Sequence, residues 1–230
     1  MTNNLAIIPA RGGSKRIPKK NIKNFLGKPI IAYSIEAAIK SELFDEVMVS
    51  TDDVEIAEVA IRYGAKVPFY RSNQNSNDYS TTLDVIKEVL SNYLLKLGIN
   101  FEQACCIYPT APLIKIEHLK SGFNKLISNN YTTVFPAVQF SYPIWRGLSI
   151  NKDGTSSMIW PQYVNDRSQD LQKVYHDAGQ WYWFKTKELD NSFLLGKSSF
   201  IELLETEVQD IDNLSDWKLA EYKYKFCDKI

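Results

Sequence analysis

The sequence predicts an α/β fold, a three-layer sandwich in which a mostly parallel central sheet carries helices on both faces. Short apolar runs alternate with amphipathic helical patterns along residues 1–138, and this alternation is typical of right-handed βαβ units. Polar residues follow several of the apolar runs directly, as expected where ligands bind beyond the carboxyl ends of strands. Hydrophobic residues make up 44% of the 230 residues, enough for one conventional core.

Local signals place the individual elements. Pro29 suits the first turn of a helix, and Asp52 and Glu55 have the spacing of a capping box. Gly64 and Gly98 suit the left-handed position that ends a helix. We therefore predict strands at 5–9, 46–51, 66–71 and 131–138, and a further strand within 103–112 that ends in a proline-containing loop. Helices are predicted at 29–41, 52–64, 80–98 and 116–129.

The alternation breaks between about 139 and 176. Here an Asp153-Gly154 turn separates two short strand-like pieces. We interpret this stretch as an arm inserted into a single domain that spans 1–230. Strand character returns at 179–185, and 215–226 has the pattern of a capped closing helix.

Composition excludes several classes of protein. Lys and Arg together number 27, as do Asp and Glu, so no overall charge favours nucleic acid or an acidic membrane. The N-terminal residues lack the pattern of a signal peptide, and no apolar run approaches the ~20 residues of a membrane span. The adjacent Cys105 and Cys106 lie in an apolar run and suit buried reduced thiols. We expect a cytoplasmic protein.

The segment Ile7–Asn21, "IIPARGGSKRIPKKN", concentrates positive charge in a chain that has none overall. Two glycines and five cationic side chains follow the first predicted strand: Arg11, Lys15, Arg16, Lys19 and Lys20. A glycine-containing loop after a strand can present backbone N–H groups to phosphate oxygens, and lysine and arginine add charge. The alternative is a solvated surface loop, which its position after a buried strand disfavours.

Two common nucleotide motifs are missing. The first strand is not followed by G-x-G-x-x-G, which disfavours a dinucleotide-dependent oxidoreductase. The Walker pattern fails because "GKS" at 196–198 is preceded by asparagine at position 191, where that motif needs glycine.

The basic segment resembles the N-terminal signature of the CMP-sialic acid synthetase family. The similarity continues through "GKPIIAYSIEAA", "FDEVMVSTDDVEIAEVAIRYGAKVPFYR", "YPTAPL" and "DIDN". The resemblance implies a nucleotide-diphospho-sugar transferase-like sandwich that dimerises through a protruding arm. It also implies Mg²⁺-assisted condensation of CTP with a nine-carbon acidic sugar, by direct displacement at the α-phosphate with release of pyrophosphate.

The resemblance also assigns residues. Arg11, Lys20 and Asp212 correspond to catalytic residues, and the nucleotide-binding set is Arg11, Gly13, Ser14, Lys15, Lys20, Asn21, Arg71, Ser80 and Thr81. We interpret Arg16 and Lys19 as charged side chains that are simply exposed to solvent. Ser80 and Thr81 are equally good candidates for helix N-caps.

A magnesium site is expected at "QDIDN". In an extended segment Asp210 and Asp212 project to the same side, with Ile211 opposite. Two carboxylates offer the hard oxygen ligands that Mg²⁺ prefers. The alternative is a pair of exposed acids. The resemblance favours the metal site.

The sugar-facing residues depart from the sialic-acid pattern. Tyr108 replaces a glutamine, and "HDAGQ" at 176–180 resembles the pseudaminic acid branch. The expected substrate residues are Tyr108, Thr110, Arg146, Arg167, His176, Asp177, Gln180 and Tyr182. Alternatives are another acidic sugar, such as legionaminic, sialic or deoxyoctulosonic acid, or a non-catalytic nucleotide-binding module.

Overall fold

The computed structural model describes residues 3–189 and 191–227. The strands are β1 (Asn4–Pro9), β2 (Asn24–Phe25), β3 (Lys28–Pro29), β4 (Glu46–Ser50), β5 (Gln103–Ile107), β6 (Thr133–Gln139), β7 (Leu148–Ile150), β8 (Ser156–Met158), β9 (Tyr175–Asp177), β10 (Trp181–Lys185) and β11 (Ser198–Leu203). The α-helices are α1 (Ile30–Ser41), α2 (Val54–Arg62), α3 (Thr82–Leu97), α4 (Ile116–Ser128) and α5 (Leu214–Cys227). No helix among these residues is long and apolar enough to cross a membrane.

The central sheet has the strand order β11-β6-β10-β5-β1-β4, and β9 pairs with β6 beside β10. β1 runs parallel to β4 and β5, and β6 runs parallel to β11. β10 is antiparallel to both β5 and β6, so β6 points the same way as β5. The predicted mostly parallel sheet is confirmed, with β9 and β10 as the reversed strands.

Alternate residues of the central strands pack into two different cores. Cys105 belongs to the core under α1, α2 and α4, and its neighbour Cys106 belongs to the core under α3. In β10, Trp181 and Trp183 face the first core, and Tyr182 faces the second. This alternation is what a strand with both faces covered requires. The three-layer α/β prediction is therefore confirmed.

Two local predictions are wrong. Residues 66–71 do not form a strand: Lys66 makes a single parallel bridge with Met48, and pairing stops before Pro68, which has no N–H to donate. The N-cap of α2 is Asp53, not Asp52, and it accepts hydrogen bonds from the backbone N–H groups of the helix's first turn.

The stretch expected to form an arm contains a small hairpin. β7 and β8 pair with each other in a separate two-stranded sheet. The turn between them places Gly154 at a φ of 85°, as the Asp-Gly signal predicted. The chain then returns to the central sheet at β9. The division into one domain and a dimerisation arm stays a prediction.

A third apolar cluster brings distant parts of the chain together. Ile17 of the basic loop and Ile211 are both fully buried in it, packed with Phe25 and with Trp217 of α5. Burial of side chains of this size stabilises a protein by roughly 1.5–3 kcal/mol each. This cluster therefore holds the basic loop against the segment that carries Asp210 and Asp212.

Candidate active site

A cleft of about 620 Å³ opens at the carboxyl ends of β1, β4 and β5. The basic loop follows β1, Arg71 lies beside the end of β4, and Tyr108 follows β5. The lining residues are Pro9, Arg11, Ser14, Lys15, Arg16, Lys20, Asn21, Arg71, Asn75, Asn77, Asp78, Ser80, Thr81, Thr82, Val85, Tyr108, Pro109, Thr110, Asp210 and Asp212. The cleft thus collects most of the residues that the sequence assigned to the nucleotide and the metal.

The basic loop is shaped by contacts with α2 and with its own end. The backbone N–H of Gly12 donates to Asp52 Oδ1 at 3.0 Å. A Cβ on Gly12 would lie 2.6 Å from Asp53 Oδ2, whereas one on Gly13 would meet nothing within 4 Å. Asn21 Nδ2 donates to the carbonyl of Arg11 at 2.9 Å. Gly12, which the sequence analysis did not single out, is the glycine that the close approach requires.

Lys20 links the loop to the acidic segment. Its Nζ donates to the carbonyl of Ile211 at 2.7 Å, between the two aspartates. Burial lowers the pKa of Lys20 below its usual value, while Asp212 and Asp210 oppose that shift. Arg16 Nη1 lies 2.7 Å from Asp212 Oδ2. Cations after β1 and carboxylates near the C-terminus therefore meet in one cleft.

Asp210 and Asp212 could supply only part of the ligands that a divalent cation needs. Loss of solvent and the neighbouring Asp212 raise the pKa of Asp210 above its usual range, an effect that a bound cation would reverse. Among the described residues no group of three or more His, Cys, Asp or Glu side chains is placed to hold a metal. Two protein carboxylates plus phosphate oxygens match the way Mg²⁺ binds in many nucleotide sites.

Arg71 is fixed beneath the cleft. Its Nε donates to Ser50 Oγ at 3.1 Å and its Nη2 to the Ser50 carbonyl at 2.5 Å. The side chain is buried, and burial lowers the pKa of the guanidinium from its usual value. The following residues are held by α3, since Glu88 accepts hydrogen bonds from the N–H and hydroxyl of Ser72 at 2.7 and 2.9 Å.

The segment 72–81 closes one side of the cleft. Thr81 is the N-cap of α3 and forms a capping box with Asp84, so its hydroxyl is used within the helix start. Ser80 Oγ donates to the carbonyl of Gln74 at 2.9 Å. Both residues line the cleft, and both also serve as turn or cap residues.

Tyr108 of the cleft contacts Tyr182, which in turn contacts Asp177. Tyr108 is hydrogen-bonded to Thr82 and Tyr182, and its ring centroid lies 5.5 Å from that of Tyr182. The Tyr182 hydroxyl donates to Asp177. Burial raises the pKa of both phenols above the usual value, so they act as neutral hydrogen-bonding groups at ordinary pH.

A second cavity of about 410 Å³ adjoins the cleft, and Asp210 lines both. It is lined by Val138, His176, Asp177, Ala178, Gly179, Glu205, Val208, Gln209, Asp210 and Lys223. Lys223 of α5 donates to the carbonyls of Glu205 and Val208 at 2.9 and 2.6 Å. The predicted substrate residues His176 and Asp177 are therefore grouped here.

Five predicted residues line neither cavity: Gly13, Gln180, Arg146, Arg167 and Tyr182, whose contact with Asp177 is described above. Gly13 lies on the open side of the loop. Gln180 is buried behind Tyr108, where its Nε2 donates to the carbonyl of Glu207 at 2.7 Å. Arg146 and Arg167 lie in the stretch expected to be the arm, and Arg146 donates to the carbonyl of Asp166.

Sequence reasoning missed Arg16 and Asp78. Arg16 read as a solvent charge, but it lines the cleft and pairs with Asp212. Asp78 stands two positions before Ser80 in "NDYSTT", and it contacts the basic loop across a long sequence separation. For Arg16, its position within the basic cluster was a signal that could have placed it in the cleft. We find no local signal for the partners of Asp78.

Comparison with known proteins identifies the family. A family model described as cytidylyltransferase matches residues 5–187. The pseudaminic acid cytidylyltransferase of Campylobacter jejuni subsp. jejuni is 44% identical over 224 residues, which cover 96% of each protein. N-acylneuraminate cytidylyltransferase A of Danio rerio is 34% identical over 220 residues, 95% of this chain and 50% of that protein.

Solved structures share the fold. A CMP:2-keto-3-deoxy-manno-octonic acid synthetase complexed with CTP matches 100% of both chains with a TM-score of 0.69 at 17% identity. The resemblance noted in the sequence is confirmed, and the matched region contains the basic loop, Arg71 and Tyr108. The chain belongs to the cytidylyltransferase family.

Proposed function

We propose that this protein transfers CMP from CTP to the anomeric hydroxyl of pseudaminic acid, giving CMP-pseudaminic acid and pyrophosphate. The reaction type is inferred from one observation: the basic loop and the carboxylates of Asp210 and Asp212 line the same cleft. The sugar is inferred from the relative named for pseudaminic acid, which is 44% identical over nearly the full length, against 34% for the acylneuraminate enzyme.

Charge balance supports a triphosphate as ligand. Among the described lining residues, five are cationic (Arg11, Lys15, Arg16, Lys20 and Arg71) and three are carboxylates (Asp78, Asp210 and Asp212). The surplus is two positive charges. A nucleoside triphosphate with one divalent cation carries about two negative charges, so the complex would be nearly neutral.

In this proposal the protein mainly aligns the reactants and neutralises charge. Arg11, Lys15 and Lys20 bind the phosphates, and Lys20 stabilises the charge that grows as pyrophosphate leaves. Asp210 and Asp212 would hold Mg²⁺, which would screen the phosphates from the incoming oxygen. Asn21, Ser14, Arg71, Ser80 and Thr81 complete the nucleotide side.

The second cavity, which shares Asp210 with the cleft, is the proposed place for the acidic sugar. Asp177, His176 and Tyr108 would contact its substituents, and Tyr182 and Gln180 would position these residues from behind. Arg146 and Arg167, on the proposed arm, would reach the sugar carboxylate of a partner subunit in a homodimer.

The test is release of pyrophosphate from CTP with Mg²⁺ and, in separate reactions, pseudaminic, legionaminic, sialic and deoxyoctulosonic acids. We expect release with pseudaminic acid and none after chelation of the metal. Release with sialic but not pseudaminic acid would contradict the substrate. Tight CTP binding without turnover on any acid would favour a non-catalytic nucleotide-binding module.

Adjacent lysines offer a matched pair of variants. Lys20→Ala removes a cation that lines the cleft, and we expect turnover to fall at least about 100-fold. Lys19→Ala removes a cation that pairs with Glu55 at 2.5 Å outside the cleft, and we expect turnover near that of the parent. Equal losses in both variants would contradict the role assigned to Lys20.

A further inference from the structure

Asp78 places a carboxylate on the cations that the proposed function assigns to the phosphates. Its Oδ1 lies 2.6 Å from Arg11 Nη1, and its Oδ2 lies 2.5 Å from Lys15 Nζ. Arg11 Nη1 also donates to the carbonyl of Asn77 at 3.1 Å. The two carboxylate oxygens thus bind two cations of the cleft, as two phosphate oxygens would.

The segment that presents Asp78 is held without the help of its carboxylate. Asn77 Oδ1 accepts hydrogen bonds from the N–H groups of Tyr79 and Ser80 at 2.8 and 3.1 Å. Asn77 Nδ2 donates to the carbonyl of Gln74 at 2.6 Å. Together with the anchoring of Ser72 on Glu88, these bonds fix the turn. The contact of Asp78 with the loop is therefore not needed to build the segment.

The ion pairs of Asp78 are open to solvent and easily exchanged. The side chains of Asp78, Arg11 and Lys15 are 43%, 37% and 79% exposed. Exposed ion pairs of this kind are weak and are screened by water and salt. A polyphosphate with several charges can therefore displace a single carboxylate from the same two cations.

We propose that Asp78 competes with phosphate for the subsite formed by Arg11 and Lys15. Its carboxylate binds these two cations when no nucleotide is bound, is displaced by the triphosphate, and binds them again as pyrophosphate leaves. The inference rests on the proposed function in one respect, namely that the displaced anion is the triphosphate of the nucleotide substrate. Its consequence is a cleft that binds polyphosphate less tightly than its cations alone would allow, and that releases its product more readily.

The competition predicts that removing the carboxylate tightens anion binding. In Asp78→Asn and Asp78→Ala we expect the Kd for inorganic tripolyphosphate, measured by calorimetry, to fall about tenfold. The inhibition constant for pyrophosphate and the KM for CTP should fall in the same direction, with no gain in kcat.

Glu55→Gln is the matched control. Glu55 pairs with Lys19 of the same loop at 2.5 Å, is similarly exposed, and does not line the cleft. We expect its Kd for tripolyphosphate to stay within about twofold of the parent, because a charge outside the cleft is screened by salt. An equal tightening in Glu55→Gln would show a general charge effect and overturn the proposal.

The remaining outcomes separate this inference from the proposed function. Unchanged or weaker tripolyphosphate binding in both Asp78 variants would overturn the inference, because Asp78 would then only hold Arg11 in place, whatever the turnover. Tighter binding in both variants supports the inference even if the parent protein transfers CMP to none of the acids tested.

Discussion

At the scale of single residues, the two glycines of the basic loop differ in their surroundings. Gly12 lies against the aspartate that caps α2, and Gly13 faces open space. An added methyl group on Gly12 must push Asp53 away from the N–H groups that it caps. Loss of such a cap destabilises a protein by about 1 kcal/mol.

We therefore expect Gly12→Ala to lower the Tm by about 3 °C, and Gly13→Ala to leave it nearly unchanged. Neither glycine has a positive φ, so the backbone conformation itself tolerates alanine at both positions. Thermal unfolding followed by circular dichroism measures the difference. A larger loss in Gly13→Ala than in Gly12→Ala would contradict this account of the loop.

The sequence predicted which residues lie in the cleft better than it predicted their partners. Charge drew attention to Arg11 and Lys20, and the family resemblance selected them together with the two aspartates; their roles stay predictions. The pairing of Arg16 with Asp212, and of Asp78 with Lys15, depends on segments far apart in the chain. The first contact follows from the packing of Ile17 and Ile211, and the second from the anchoring of the segment 72–81 on Glu88. No local pattern reveals either.

At the scale of elements, α4 packs closely on β10 through a glycine. A Cβ on Gly122 would lie 3.2 Å from Trp183 Cδ1 and even closer to the ring of Trp181. Alanine favours a helix over glycine by about 1 kcal/mol. Overpacking a rigid core costs about 1–3 kcal/mol, so the clash should outweigh the gain in helix propensity.

We expect Gly122→Ala to lower the free energy of unfolding by about 1–2 kcal/mol in urea titrations. Asn124→Ala is the control, because Asn124 is an exposed residue of the same helix and alanine should stabilise it slightly. If Gly122→Ala were as stable as Asn124→Ala, the tight contact between α4 and β10 would be refuted.

The elements of the first half were predictable because their apolar periodicity is strong and their caps are local. The segment 66–71 was mistaken for a strand because its composition suits one, although Pro68 ends the pairing after Lys66. The reversed direction of β10 could not be read from residues 179–185, since an apolar strand has the same pattern in either direction.

At the scale of the whole molecule, the stretch between β6 and β9 exposes large apolar side chains. Tyr142 is 85% exposed, and in the hairpin Ile150 and Leu148 of β7 are 84% and 64% exposed. Exposed apolar groups in one segment favour association with another surface. Together with the family resemblance, this supports the proposed homodimer through the arm.

Ile150→Asp should shift the protein from dimer to monomer in size-exclusion chromatography with light scattering. A charge placed in an apolar interface loses its hydration without gaining a partner. Leu95→Asp is the control, because Leu95 of α3 is also highly exposed but lies outside the arm, and the dimer should persist. Parent protein that is monomeric at high concentration would contradict the predicted arm.

The bond between Lys20 Nζ and the carbonyl of Ile211 joins groups 191 positions apart. During synthesis Lys20 is therefore made long before Ile211 and Asp212, whereas Asp78, which pairs with Arg11 and Lys15, follows much sooner. The basic loop can meet Asp78 while synthesis continues. Lys20 and Arg16 can reach the acidic segment only after Ile211 and Asp212 have been added, so the two sides of the cleft are joined late in the order of synthesis.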